Sequence, residues 1–187
     1  MQELFDGLTL FHGSYCEVKQ PELHQGARYK DFGQGFYLTS SKEQAGNFIR
    51  TSVKKAVLSG KIDENQSFGF ISSFRFSMNE KLNIWNYPDA DVEWLHCVVG
   101  HRRKNTFPAI VNDMEKYDII AGKIANDNTN ATIAAYMALA YGEPGTKSAD
   151  DMCISLLLPE RLQDQFCFRT DTALKNLDFL ESEKIWL

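Results

Sequence analysis

Asp31 to Phe48, DFGQGFYLTSSKEQAGNF, decides how this chain reads, because it sends one aromatic ring from a strand and another from the helix that follows. Between Tyr37 and Phe48, an extended stretch, a turn and about two helical turns bring both rings against one flat ligand. Gly33 and Gly35 flank Gln34 and loosen the backbone before Phe36, Tyr37 and Leu38 return to an extended form. Ser40 or Ser41 caps the next helix, with Glu43 or Gln44 three residues on completing a capping box. Behind the cap, Ala45, Phe48, Ile49, Val53, Ala56 and Val57 recur at helical spacing on one face, and the helix is expected to end near Gly60.

Upstream, Leu8 to Phe11 is a short apolar run ending at His12 and Gly13, the pattern of a buried strand whose end meets a ligand; residues 15–34 read as loop. Downstream, Phe68, Phe70, Phe74 and Phe76 share even positions with Ser72, so Ser67 to Ser77 is expected as a strand with one apolar face. Val92, Leu95 and Val99 suggest an amphipathic helix, and Tyr117 to Ala121 a buried strand. A helix through Ile133, Tyr136, Met137, Ala140 and Tyr141 is expected to stop at Gly142. Gln165 to Phe168 reads as a late strand, with a short helix around Ala173 and Leu174. This irregular order favours α+β over a doubly wound α/β sheet. Gly33 and Gly35 open no Rossmann fingerprint, since a strand follows them.

With 187 residues, 43% of them hydrophobic, and no internal repeat or linker, the expectation is a single domain over residues 1–187. A net charge of −5 argues against an electrostatic grip on long nucleic acid while leaving room for a local basic patch such as His101, Arg102, Arg103 and Lys104, of which Arg102, Arg103 and Lys104 read most simply as a solvated turn. The N-terminus carries no signal-peptide pattern, and no window approaches the roughly 20 apolar residues of a membrane span, so a soluble cytoplasmic protein without membrane contact is expected. Cys16, Cys97, Cys153 and Cys167 are scattered without a CxxC pair, indicating free thiols and no zinc site. His12 with Cys16 does not make a persuasive thiol-protease pair. Glu93, His96 and His101 make no persuasive metal set either.

FHGS (Phe11 to Ser14), GFYLT (Gly35 to Thr39) with Phe48 beyond it, YDIIAGKIAND (Tyr117 to Asp127) and QFCF (Gln165 to Phe168) together resemble the ADP-ribosyltransferase fold. The branch is the one shared by diphtheria toxin and the poly(ADP-ribose) polymerases. The set is more closely similar to a bacterial family of short ADP-ribosyltransferase-like proteins carrying the same four blocks, over about Leu10 to Leu177. The resemblance implies a split β core with flanking helices that grips NAD, as substrate and without metal. His12 would bond the adenosine ribose, with Ser14 assisting there, and the Gly13 backbone would pair with the nicotinamide carboxamide. Tyr37 would stack on the nicotinamide ring and Phe48 would cover its other face. As an isolated residue His12 reads more readily as a structural group than as a ligand contact, and Phe48 equally as core or clamp.

Enzymes of that fold carry a late-strand glutamate whose carboxylate favours the oxocarbenium-like transition state; here Gln165 is the expected occupant. An amide positions a ribose hydroxyl but supplies no negative charge. Asp164 is adjacent but points to the opposite face. Asp127 is the preferred substitute carboxylate, its simpler role being a turn or a helix cap. The resemblance thus implies an NAD-dependent ADP-ribosyltransferase acting on a macromolecular acceptor, toxin-like and with a possible neutralising antitoxin-like partner. Its alternatives are an NAD glycohydrolase, a catalytically weak NAD- or ADP-ribose-binding module, and a structural protein reusing the fold.

Overall fold

The computed structural model describes residues 3–23, 29–124, 127–158 and 162–187, with positions 127 and 128 as backbone only. The stretch that decides the reading contributes β2 (Phe36–Leu38) and α1 (Lys42–Leu58). Ser41 caps α1, its hydroxyl accepting from the Gln44 N–H at 3.2 Å. The reciprocal half of the expected capping box does not close: the Gln44 side chain accepts from the Thr39 hydroxyl at 2.8 Å, and the Ser41 N–H donates to that same hydroxyl at 3.1 Å. Thr39 thus takes the place of a direct glutamine bond at the helix start.

Ala45, Ile49, Val53 and Ala56 form the buried row of α1. Phe48, expected on that face, is 46% exposed. One residue is about 100° of helix, which turns Phe48 off the line of Ile49 and out of the core.

Two sheets build the body. In the first, β1 (Thr9–Ser14), β3 (Phe68–Phe76) and β7 (Leu177–Trp186) pair antiparallel in that spatial order. In the second, the order is β2, β6 (Asp164–Phe168), β5 (Ile119–Lys123) and β4 (Ile84–Asn86), all antiparallel except β4 with β5. His12 and Gly13 therefore lie within a strand, not at its end. The free edges of β1 and β2 meet at one bridge, where Phe11 and Thr39 exchange N–H to carbonyl bonds of 2.8 and 3.0 Å.

The core follows from side-chain alternation. Leu10, Phe74 and Phe76 of the first sheet face Phe36, Leu38, Ile119, Phe166 and Phe168 of the second. Ala45, Ile49 and Val53 of α1 pack with Ile71 on the outer face of the first sheet. The outer face of the second, with Ile120 and Cys167, is covered by α2 (Val92–Arg102), α4 (Asp127–Met137) and α5 (Lys147–Leu157). The chain is an α+β protein.

Four elements escape the sequence reading: β4, α3 (Pro108–Met114), α5 and β7. β7 contains Glu181, Ser182, Glu183 and Lys184 and is half or more exposed along most of its length, so it lacks an apolar period; its pairing with β3 makes it a strand. Helix α4 also stops before the expected glycine. Leu139 takes φ 66°, and the bonds from its N–H to Tyr136 O and from Ala140 N–H to Ala135 O, both 3.0 Å, close a Schellman turn on a leucine. Among the described residues no helix is long and apolar enough to cross a membrane. All four cysteines are free.

Candidate functional site at the edge between the sheets

His12 projects from β1 toward the second sheet, its ring 4.4 Å from that of Phe36. Nδ1 lies 2.8 Å from the carbonyl oxygen of Tyr37, so that nitrogen carries the proton and donates. Burial pushes the imidazole down to about 4, against weak support from that hydrogen bond. The folded protein therefore holds His12 neutral near pH 7, with Nε2 as an acceptor. Between about 6.5 and 4 the unfolded chain binds the proton more readily, so stability is full above this window and falls as the pH drops through it. The wild type is expected to lose about 1–2 kcal/mol more than His12→Asn between pH 7 and pH 5, a figure kept low because the ring is only half-buried. Urea midpoints at the two pH values check it, and parallel losses would contradict a neutral buried His12.

Gly13 is constrained from both sides. A Cβ there would stand 1.9 Å from the Ala45 carbonyl oxygen of α1, so packing of the helix on the strand already requires glycine. In an antiparallel strand alternate residues aim N–H and C=O at the same edge. Phe11 spends both groups on Thr39, and Gly13 therefore presents its own to the same side, beyond the bridge, where no backbone bond to it closes among the described residues. This donor and acceptor pair faces the gap between the sheets. Ser14 is buried, with Oγ 3.9 Å from the Cys16 thiol.

Tyr37 is half-buried on the outer face of the second sheet. Its hydroxyl donates to Gly33 O at 2.7 Å and accepts from the Phe32 N–H at 3.0 Å, tying the strand to the DFG loop. Burial raises the phenol well above its ordinary range. Lys30 places its ammonium 4.6 Å from the ring centroid, and burial lowers that group. Gly33, at φ 77°, is held against His101, whose Cδ2 would be 2.6 Å from a Cβ. Phe48 stands exposed on α1, its ring 5.9 Å from the Lys55 ammonium.

Gln165 sits on the same face of the second sheet as Tyr37, since Tyr37 pairs with Cys167 two residues along. It is 5% exposed. Its Nε2 donates to Asp31 Oδ2 at 2.8 Å and to Lys123 O at 3.1 Å. Asp31 Oδ1 accepts from Arg102 Nε at 2.8 Å and Nη2 at 2.5 Å, and Arg102 Nη1 donates to Asn130 Oδ1 at 2.6 Å. Arg102 is therefore no solvated turn: it is the buried counter-charge of Asp31. Arg103 donates to Met137 O, and His101 Nδ1 to Cys97 O at 2.9 Å, which leaves Arg103 and Lys104 as the exposed members of the basic run.

The structure thus joins His12 to Tyr37 and sets Gln165 beside Tyr37, while His12 lies on the inter-sheet side of the edge and Gln165 on the helix side. Asp164 pairs with Lys123 at 2.9 Å, away from Gln165. Asp127 begins α4, and its side chain lies outside the described residues. His96 Nε2 donates to Asp150 Oδ2 at 2.9 Å and its ring stacks on Phe107, whereas His101 Nδ1 donates to Cys97 O. Two cavities open elsewhere: one of about 200 Å³ beside Ile84 and Asn86, and one of about 320 Å³ between Gln34, Tyr117 and Arg169. Neither is lined by His12, Tyr37 or Phe48. Asp31 and Arg102 were missed as site residues. The available signal was a carboxylate opening a glycine-rich loop and an arginine closing a helix that is buried around Val98 and Val99.

The class so defined is an α+β protein with two sheets joined edge to edge, an HG dipeptide on one edge and a glycine-flanked tyrosine on the other. A family model described as a protein of unknown function (DUF3990) matches residues 8–179, and the chain belongs to that family. No curated protein matches it.

Proposed function

We propose that the protein is an NAD-dependent ADP-ribosyltransferase whose substrate lies along the edge between the two sheets. The observation that carries this reading is the N–H and C=O of Gly13, which meet no backbone partner among the described residues and so offer a ready match for a carboxamide, beside His12 and the strand of Tyr37. A primary amide offers the matching donor and acceptor. The exposed Phe48 supplies an apolar ring on the neighbouring helix, and Tyr37 a second. An aromatic facing the pyridinium contributes about 0.5–2 kcal/mol. Lys30 already occupies a face of Tyr37, and two cations do not share it, so on binding the ammonium leaves the ring for the pyrophosphate.

In the reaction the bond between C1′ of the ribose and the nicotinamide nitrogen breaks, its electron pair leaving with nicotinamide. The lone pair of the acceptor makes the new bond at C1′, and the acceptor's proton passes to solvent. Water as acceptor makes the same chemistry an NAD glycohydrolase. Purified protein incubated with NAD is expected to release nicotinamide, and mass spectrometry of host macromolecules after induced expression to find added ADP-ribose. No release and no NAD binding would sink the reading. A second reading, an NAD- or ADP-ribose-binding module, is favoured by the amide at position 165 in place of a carboxylate; calorimetric saturation without release, even with cell extract present, would select it.

A further inference from the structure

The geometry points to Asp31 as a positioning residue that fixes Gln165 as a one-way acceptor for a ligand hydroxyl, which under the reading above, on which this inference rests, is a ribose hydroxyl of NAD. Both hydrogens of the Gln165 amide are committed, one to Asp31 Oδ2 at 2.8 Å and one to Lys123 O at 3.1 Å. The flipped amide would set its oxygen against a carboxylate and a carbonyl with no hydrogen between them, so the orientation is dictated by its partners. Oε1 has no protein donor among the described residues, and it is not one of the fully buried unpaired atoms, which are Trp85 Nε1, His101 Nε2 and Arg169 Nε. It lies on the face of the sheet that carries Tyr37, in a side chain whose residue is 5% exposed.

A freely rotating glutamine offers a hydroxyl either a donor or an acceptor. Here only the acceptor is presented. The bond from Nε2 to Asp31 is charge-assisted, and it polarises the amide so that Oε1 gains electron density. Arg102, forked onto the other oxygen of Asp31 and braced on Asn130, holds that carboxylate in place. A carboxylate acting through an amide supplies part of what a glutamate at position 165 would supply directly. Asp31, in the DFG loop, is then a carboxylate in direct contact with the amide at position 165.

The test exchanges the two groups. Asp31→Asn is expected to lower the kcat of nicotinamide release about tenfold while the KM for NAD stays within about threefold, because the amide loses its orientation but the binding rings remain. Gln165→Glu places a second carboxylate against Asp31 and is expected to lose kcat similarly. The double variant Asp31→Asn with Gln165→Glu restores one amide and one carboxylate across the pair, leaves Lys123 O without its donor, and is expected to recover part of the loss seen in each single variant. A double variant no better than either single one, or an Asp31→Asn enzyme with unchanged kcat, would overturn the inference. Should Asp31→Asn fail to fold, the double variant carries the comparison.

A second readout separates this from the assignment of NAD. In an NMR spectrum, the Gln165 side-chain amide protons, identified by their loss in Gln165→Leu, are expected to exchange slowly in the wild type and rapidly in Asp31→Asn. That pattern without nicotinamide release would remove the NAD reading and leave the orientation standing. Unchanged exchange in Asp31→Asn would remove the orientation whatever NAD does.

Discussion

Tyr37→Ala is expected to abolish nicotinamide release, a fall of about a hundredfold or more, while the protein stays folded. The side chain contributes in two separable ways. Its ring stands on the outer face of the second sheet, in the strand whose Tyr37 carbonyl accepts from His12 Nδ1 at 2.8 Å. Its hydroxyl, bonded to Gly33 O at 2.7 Å and Phe32 N–H at 3.0 Å, fixes the DFG loop that carries Asp31. Alanine removes both contributions, so the ligand loses its stacking partner and Gln165 loses a well-placed Asp31. Tyr37→Phe keeps the ring and frees the loop, and is expected to fall between wild type and alanine. Rates of nicotinamide release, read beside circular dichroism, decide it. Equal turnover by wild type and Tyr37→Ala would refute the role of the ring.

Arg102→Met is expected to destabilise the protein by about 3–5 kcal/mol, the range for removing one partner of a buried ion pair. Arg102 and Asp31 have side chains only 14% and 10% exposed. Methionine fills much of the arginine's volume but leaves Asp31 without its forked donor, and Asn130 without the 2.6 Å bond from Nη1. Lysine at the same position restores the charge without the fork and is expected to recover part of the loss. Urea denaturation of the three proteins measures this. A methionine variant within about 1 kcal/mol of wild type would place Arg102 with the surface salt bridges, which contribute little.

Arg102 and Asp31 mark where sequence reading stopped. Arg102 stands in a basic run of HRRK, and local composition alone makes such a run a solvated turn. The partner that buries it lies 71 residues away in the DFG loop. Nothing in the spacing of either segment announces the pairing. Phe48 shows the opposite limit. Helical periodicity placed it near the buried row, but which side of that row meets the sheet depends on where β1 lies, and the Ala45 carbonyl above Gly13 sets α1 so that Phe48 faces outward.

The sequence by itself determined β1, β2, α1, β3, β5 and β6, whose apolar pattern is clean, and located α2, which is buried on nearly every side although its spacing suggests an amphipathic helix; with them came the α+β class. It also narrowed the cap of α1 to Ser40 or Ser41, because a cap is a contact between residues three apart, and the structure selects Ser41. Only the tertiary structure decided that β7 is a strand, since its polar face earns its conformation from the ladder with β3. Tertiary structure alone brought Asp31, Arg102 and Gln165 into one buried network, and set the edges of β1 and β2 against each other at Phe11 and Thr39. The physical reason is range: periodicity and capping act within a few residues, whereas the burial that makes a charge need its partner exists only once distant segments have packed.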